Sequence, residues 1–78
     1  MILNNTHAKL NQARAGEKFI LEFIPSSIKA ELIRMGLCEG DKIECLAKIP
    51  GGPVVLIKDL QEIAIGNNYA KDIQITKI

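Results

Sequence analysis

At 78 residues the chain has room for one domain, near the lower size limit for a self-sufficient core, since a domain this small buries only about 60–65% of the surface its unfolded chain exposes. Ten basic residues against nine acidic ones leave a net charge of +1, which excludes a nucleic-acid binder that works by neutralising phosphates. With two Phe, one Tyr and no Trp, a base-stacking platform is short of rings, so nucleic acid is not an expected partner.

Hydrophobic residues make up 47% of the chain, many of them Ile and Val, so a compact core needs neither disulfide nor structural metal. No apolar run approaches the ~20 residues that span a bilayer, and the first five residues lack the charged start of a signal peptide. The expectation is a cytoplasmic protein.

Residues 1–9 are poorly patterned and read as a leader or a short extra strand; residues 10–78 read as a single domain. Residues 10–16 carry apolar Leu10 and Ala13 and stop at a turn glycine. Residues 19–24 predict a first strand with Phe19, Leu21 and Phe23 on one side and Ile20, Glu22 and Ile24 on the other. Pro25 resists extending that strand, and Ser26 and Ser27 are both suited to cap a helix. In the helix Ile28, Leu32 and Met35 share a face that Ile33 widens, while Lys29, Glu31 and Arg34 point away, with Glu31 and Arg34 placed to pair.

Met35, Gly36 and Leu37 give the helix its stop. Gly36 stands where a left-handed residue is wanted, and Leu37 can fold back on Leu32. Cys38, Glu39, Gly40 and Asp41 then place glycine at the third position of a type II turn, which needs a positive φ. Residues 42–49 alternate, with Ile43, Cys45, Ala47 and Ile49 inward and Lys42, Glu44, Leu46 and Lys48 outward. Pro50, Gly51, Gly52 and Pro53 form a loop, and residues 54–57 are apolar throughout, as in a central strand. Residues 58–61 read as a hairpin connection and 62–65 as its return. Residues 66–68 break that strand and cap one helical turn at 69–72, before a last strand over 73–77. Several short strands at this spacing predict a mainly β fold, a small barrel of about five strands with one inserted short helix.

Little in the chain suggests chemistry. Cys38 and Cys45 lack the Cys-x-x-Cys spacing and the partners of a zinc site, and Cys45 reads as a small buried hydrophobe. His7 is the lone histidine and reads as a surface residue. Glu39, Asp41 and Glu44 cluster near the turn and are the weak candidates for a divalent cation such as Fe²⁺ or Mn²⁺, although a polar turn accounts for them as well. The glycines of the 50–53 loop precede no Lys-Ser or helix, so it is not a phosphate loop. No nucleophile–base or paired-carboxylate set is present, so an enzyme is not expected, nor a tightly bound cofactor. What remains is surface. Leu46 interrupts a charged outward series between Glu44 and Lys48, and Leu60 occupies a hairpin turn. With Lys48, Pro50, Gly51, Gly52 and Pro53 they make the candidate partner-binding surface if they adjoin.

The run from Leu32 to Leu37, Gly40, Ile43, and the loop from Ile49 through Pro53 to Val54 resembles the FeoA-like domain of bacterial ferrous-iron uptake. The resemblance continues through Ile63, Ala64, Ile65, Ala70, Ile73 and Ile75 and covers roughly residues 10–77. The sequence departs from the pattern at Glu39, where proline is usual, and at Gly66, where arginine is usual. The resemblance implies an SH3-like barrel and a non-catalytic partner of the membrane ferrous-iron permease that carries a GTPase domain, with weak homo-oligomers as a further expectation. The alternative is a stand-alone relative of the SH3-like domain of iron-dependent transcriptional regulators, although no helix-turn-helix segment is evident. A proline-rich-peptide binder ranks last, because the aromatic groove it needs is missing.

Overall fold

A computed structural model describes residues 7–78; of the poorly patterned segment, residues 1–6 lie outside the described residues. Six strands form one antiparallel sheet: β1 (His7–Lys9), β2 (Lys18–Phe23), β3 (Lys42–Lys48), β4 (Val54–Lys58), β5 (Gln61–Ile65) and β6 (Gln74–Lys77), in the order β1-β6-β2-β3-β4-β5. Helix α1 (Ser26–Arg34) is inserted between β2 and β3, a 3-10 turn (Leu10–Gln12) follows β1, and the four-residue α2 (Asn67–Ala70) precedes β6. The expected mainly β architecture is what forms, with six strands where about five were expected. The additional one, β1, pairs with β6 through His7–Thr76 and Lys9–Gln74, a contact between the two ends of the chain that no local pattern signals.

The core gathers from every element. Leu10, Phe19, Leu21, Ile24, Leu32, Leu37, Leu56, Ile65, Ile73 and Ile75 are fully buried, and among the described residues no charged or polar one is buried with them. Each such aliphatic side chain contributes about 1.5–3 kcal/mol on leaving water. From α1, Leu32 enters the core while Ile28 and Met35 pack half-buried against it. Ile33, expected to widen that face, is 52% exposed instead. The helix starts one position earlier than its serines suggest: Pro25 is the cap residue, accepting the Ile28 amide, and neither serine side chain caps. Glu31 does not pair with Arg34; its carboxylate accepts the Tyr69 hydroxyl from α2.

The helix ends as its glycine predicts. Gly36 has φ +98°, the Leu37 amide donates to the Leu32 carbonyl at 2.9 Å, and the Gly36 amide donates to Ile33 at 2.9 Å. That is the paired bonding of a Schellman stop, and the two leucines it brings together are both in the core. Gly40, at φ +92°, forms the following turn, in which the Asp41 amide reaches the Cys38 carbonyl at 3.2 Å.

Two bulges correct the expected strand faces. The β2–β6 register shifts between Leu21 and Phe23, so Phe23 turns outward at 45% exposure and Ile24 takes the buried place. In β3 the register against β4 steps from Cys45–Leu56 to Ala47–Val55, leaving Leu46 as the extra residue. After it the alternation changes phase: Ala47 is half-exposed beside outward Val55, and Ile49, expected inside, is 52% exposed. An inserted residue has this effect because side chains alternate with a period of two.

Candidate functional site

Strand β4 has a differently built surface at each end. At its start is the loop between β3 and β4. The Gly52 amide donates to the Ile49 carbonyl at 2.8 Å, with Pro50 and Gly51 between them and Gly51 at φ +71°. This is a type II turn, in which proline fixes the second residue and glycine supplies the positive φ of the third. The Ile49 amide closes the loop on the Pro53 carbonyl at 3.1 Å. A Cβ at Gly52 would stand 3.0 Å from the Ile49 side chain, so glycine there lets Ile49 lie across the turn. Leu46, 43% exposed, and Ile49 project from this end, and the Lys48 ammonium reaches back to the Ile49 carbonyl at 3.3 Å.

At the other end of β4 is the hairpin to β5. Lys58 pairs with Gln61, leaving Asp59 and Leu60 as a two-residue turn with φ +49° and +69°. Positive φ at both residues is the type I′ geometry that matches the twist of a hairpin, and it favours Asn and Gly. Leucine there is strained, and Leu60 is 96% exposed. It borders a shallow groove of about 580 Å³ on the outer face of the sheet, with Ile57 and Ile78 as further apolar lining and Lys18, Lys42, Glu44 and Asp59 around it. None of these four charged residues forms an ion pair among the described residues.

The proposed partner-binding residues are therefore divided. Leu46, Lys48, Pro50, Gly51, Gly52 and Pro53 gather at the loop end. Leu60 belongs to the opposite end of β4, about 13 Å away over the four residue steps of the strand. The signal for that division was available in the sequence, since a strand connecting two turns keeps them apart.

The carboxylates near the tight turn do not converge. One Glu39 oxygen accepts the Ile24 amide at 2.8 Å and the other faces the Lys29 ammonium at 3.4 Å. Asp41 Oδ2 accepts the Cys38 amide and the Lys58 ammonium, both at 2.8 Å. Glu44 lies on β3 opposite Lys18 and Ile57. Burial raises the Asp41 carboxyl, but the bond from Lys58 and the Cys38 amide outweigh it, and the group titrates below its ordinary value. Glu39 is also lowered, chiefly by the Ile24 amide. Among the described residues, no three His, Cys, Asp or Glu side chains gather as a metal site would require. Glu39 and Asp41 act as braces of the turn. Glu39 in particular ties the turn to the residue that follows β2.

Sequence reasoning missed Lys58. It is half-buried, and besides Asp41 its ammonium donates to the Gly36 carbonyl at 2.6 Å. No short-range pattern marks it, because both acceptors lie far back in the chain.

The FeoA domain model matches residues 8–77. The chain belongs to the FeoA family. The crystal structure of an iron uptake regulatory protein (FeoA) superposes with a TM-score of 0.83 at 27% identity, covering 92% of this chain and 99% of that one. A FeoA-like protein from Clostridium acetobutylicum shares the fold at TM-score 0.79 and 23% identity, over 96% of this chain and 91% of that one. ScaR with bound Zn²⁺ matches at TM-score 0.81 and 25% identity, over 100% of this chain but 40% of its own, so there the FeoA fold is one part of a longer protein. No curated protein matches the sequence significantly.

Proposed function

We propose that this FeoA domain is a non-catalytic cytoplasmic accessory protein of bacterial ferrous-iron uptake, docking on the membrane ferrous-iron permease that carries a GTPase domain. The observation that carries this reading is the loop end of β4, where Leu46 and Ile49 are exposed beside a turn held by proline, glycine and two backbone hydrogen bonds. A surface already fixed in shape loses little conformational freedom on binding. Docking changes the permease only through a difference in affinity between its conformations. Family membership and the likeness to an iron uptake regulatory protein support the choice of partner.

Leu46→Asp tests it. Leu46 is the inserted residue of a bulge and faces solvent, so the variant should keep the denaturation midpoint of the native protein. Losing one buried leucine at an interface is worth about 1.5–3 kcal/mol, so affinity for the cytosolic part of the permease should fall about tenfold or more. Unchanged affinity, or a large fall in midpoint, would end this reading.

A second reading follows from the ScaR likeness: a relative of the domain carried by metal-dependent repressors. It predicts a partner whose binding depends on added divalent metal and involves Glu39, Asp41 or Glu44. Glu39 and Asp41 are engaged in the turn, and among the described residues no third ligand gathers with them, which favours the first reading.

A further inference from the structure

The two edges of the sheet are finished differently. At the β1 edge the Leu10 amide reaches the Ile73 carbonyl, so the Lys9 amide before it points away from β6. It donates to the Gln12 side chain at 2.8 Å, and the chain closes that edge itself. At the β5 edge the direction of bonding follows from the two turns of β4. The Ile49 amide reaches Pro53 across one loop, and Lys58 pairs with Gln61 across the two-residue turn. Bonding alternates along an antiparallel pair, so Gln61, Ile63 and Ile65 bond to β4 while Glu62 and Ala64 turn their amides and carbonyls outward. Both residues are exposed, and among the described residues neither backbone finds a partner on that side.

What such an edge accepts is an extended strand, because only that matches its alternating donors and acceptors. The outer face of the sheet says more about the strand. Ala47 lies opposite Val55 and Val55 opposite Ala64, so a row of small apolar residues crosses β3, β4 and β5 to the open edge. The row starts beside Leu46, the bulged residue of the proposed docking surface, and is continuous with it. An added strand would extend the row with its own side chain next to Ala64. An apolar residue fits there, since Ala64 is too small to screen Val55 from it. Two positions along the edge the neighbour is Glu62, the charged residue of β5, which calls for a Lys or Arg on the incoming strand. A second copy of β5, Gln61–Ile65, brings no such cation, so the occupant is a different chain.

We infer that the open edge of β5 takes an extended segment of the docking partner as a further strand of the sheet, with an apolar residue beside Ala64 and a basic residue beside Glu62. This rests on the proposed docking at the loop end of β4 and deepens it. Leu46 and Ile49 supply the apolar contact, and the backbone of Glu62 and Ala64 supplies the hydrogen-bonded one.

The test uses the cytosolic part of the permease as the probe and reads amide hydrogen exchange first. In the free protein the Glu62 and Ala64 amides should exchange fast between the protected amides of Ile63 and Ile65. In the complex both should slow about tenfold or more. Ala64→Pro removes an outward N–H without taking a bond from β4, so the variant should fold and bind about tenfold or more weakly. Glu62→Lys should also weaken binding, because it sets like charges side by side. If Leu46→Asp weakens binding and Ala64→Pro does not, the docking stands and this inference falls; if neither weakens it, both fall. Should Ala64→Pro fail to fold, exchange in the native complex decides. Glu62 and Ala64 amides that stay fast in the complex, or that gain protection as the protein alone is concentrated, which would make a second copy the occupant, each overturn the inference. Glu62→Lys binding as tightly as the native protein would overturn it too.

Discussion

The ammonium of Lys58 lies 2.6 Å from the carbonyl oxygen of Gly36, a residue 22 positions earlier in the chain. Gly36 is the first residue beyond the cap of α1, so a cation bonded to its carbonyl stands near the negative end of the helix dipole. The same ammonium bonds Asp41, whose carboxylate holds the Cys38 amide. One side chain from the end of β4 thus joins the stop of α1 and the tight turn that leads into β3.

Removing members of this unit should show coupling. Asp41→Ala takes away the acceptor of two bonds and should cost about 1–2 kcal/mol. Lys58→Met should lower the urea midpoint as well, and the double variant should lose less than the two single losses added together. Strict additivity in the double-mutant cycle would show that the three contacts act separately.

Acid should weaken the fold through particular carboxylates. Glu17 is held below its usual value, first by the Arg14 amide and then, against burial, by Lys77. Asp41 is held low by Lys58 and the Cys38 amide, which outweigh its burial. A group whose folded value is depressed contributes stability above its unfolded value, and that contribution is lost as pH falls through the folded one. The urea midpoint should therefore be flat near neutrality and decline below about pH 4, where unperturbed carboxylates titrate. Asp41→Asn should make the decline shallower. Lys58 works in the other direction: its bond to Asp41 raises it, so its contribution is present below the ordinary lysine value and is lost as pH rises through the folded value.

At Gly36 the cost of a side chain should be conformational rather than steric. A Cβ there meets nothing closer than the Gln61 side chain at 3.7 Å, yet φ is +98°. Gly36→Ala should destabilise by about 1–2 kcal/mol and β-branched Gly36→Val by more, while Gly36→Asn, which tolerates the left-handed region, should cost less than alanine. Chemical denaturation of the three variants checks the ranking.

The two thiols should differ sharply in reactivity. Cys38 is exposed, whereas Cys45 is fully buried, and burial together with the Glu17 charge pushes its thiol up. Iodoacetamide should modify one cysteine per native chain at neutral pH and reach the second only in denaturant. Mass spectrometry of the native and unfolded protein reads this directly.

What could be read from the sequence followed from local rules. Gly36 and Gly40 each stand where a turn demands positive φ, and both adopt it. The stop of α1, the hairpin at Asp59 and Leu60, and the apolar run of β4 were visible because their causes lie within a few residues. The misplaced faces of Phe23, Ala47 and Ile49 share one physical cause. A bulge adds a residue without leaving a mark in the hydrophobic pattern, and every position beyond it is then assigned to the wrong side. At the candidate surfaces, the exposure of Leu46 and Leu60 was legible as a break in polarity. The separation of the two leucines required the strand between them to be placed, and Lys58 required the fold itself.

The pairing of His7 with Thr76 has a consequence for how this domain can be built into other proteins. The described chain enters and leaves at neighbouring positions on one edge of the sheet. A short linker from residue 78 to residue 7 would therefore span little distance, and a circular permutant opened between Asp59 and Leu60 should fold while freeing that turn from its strain. Segments attached at either end emerge side by side, so the barrel can be grafted onto a larger polypeptide without prising its strands apart.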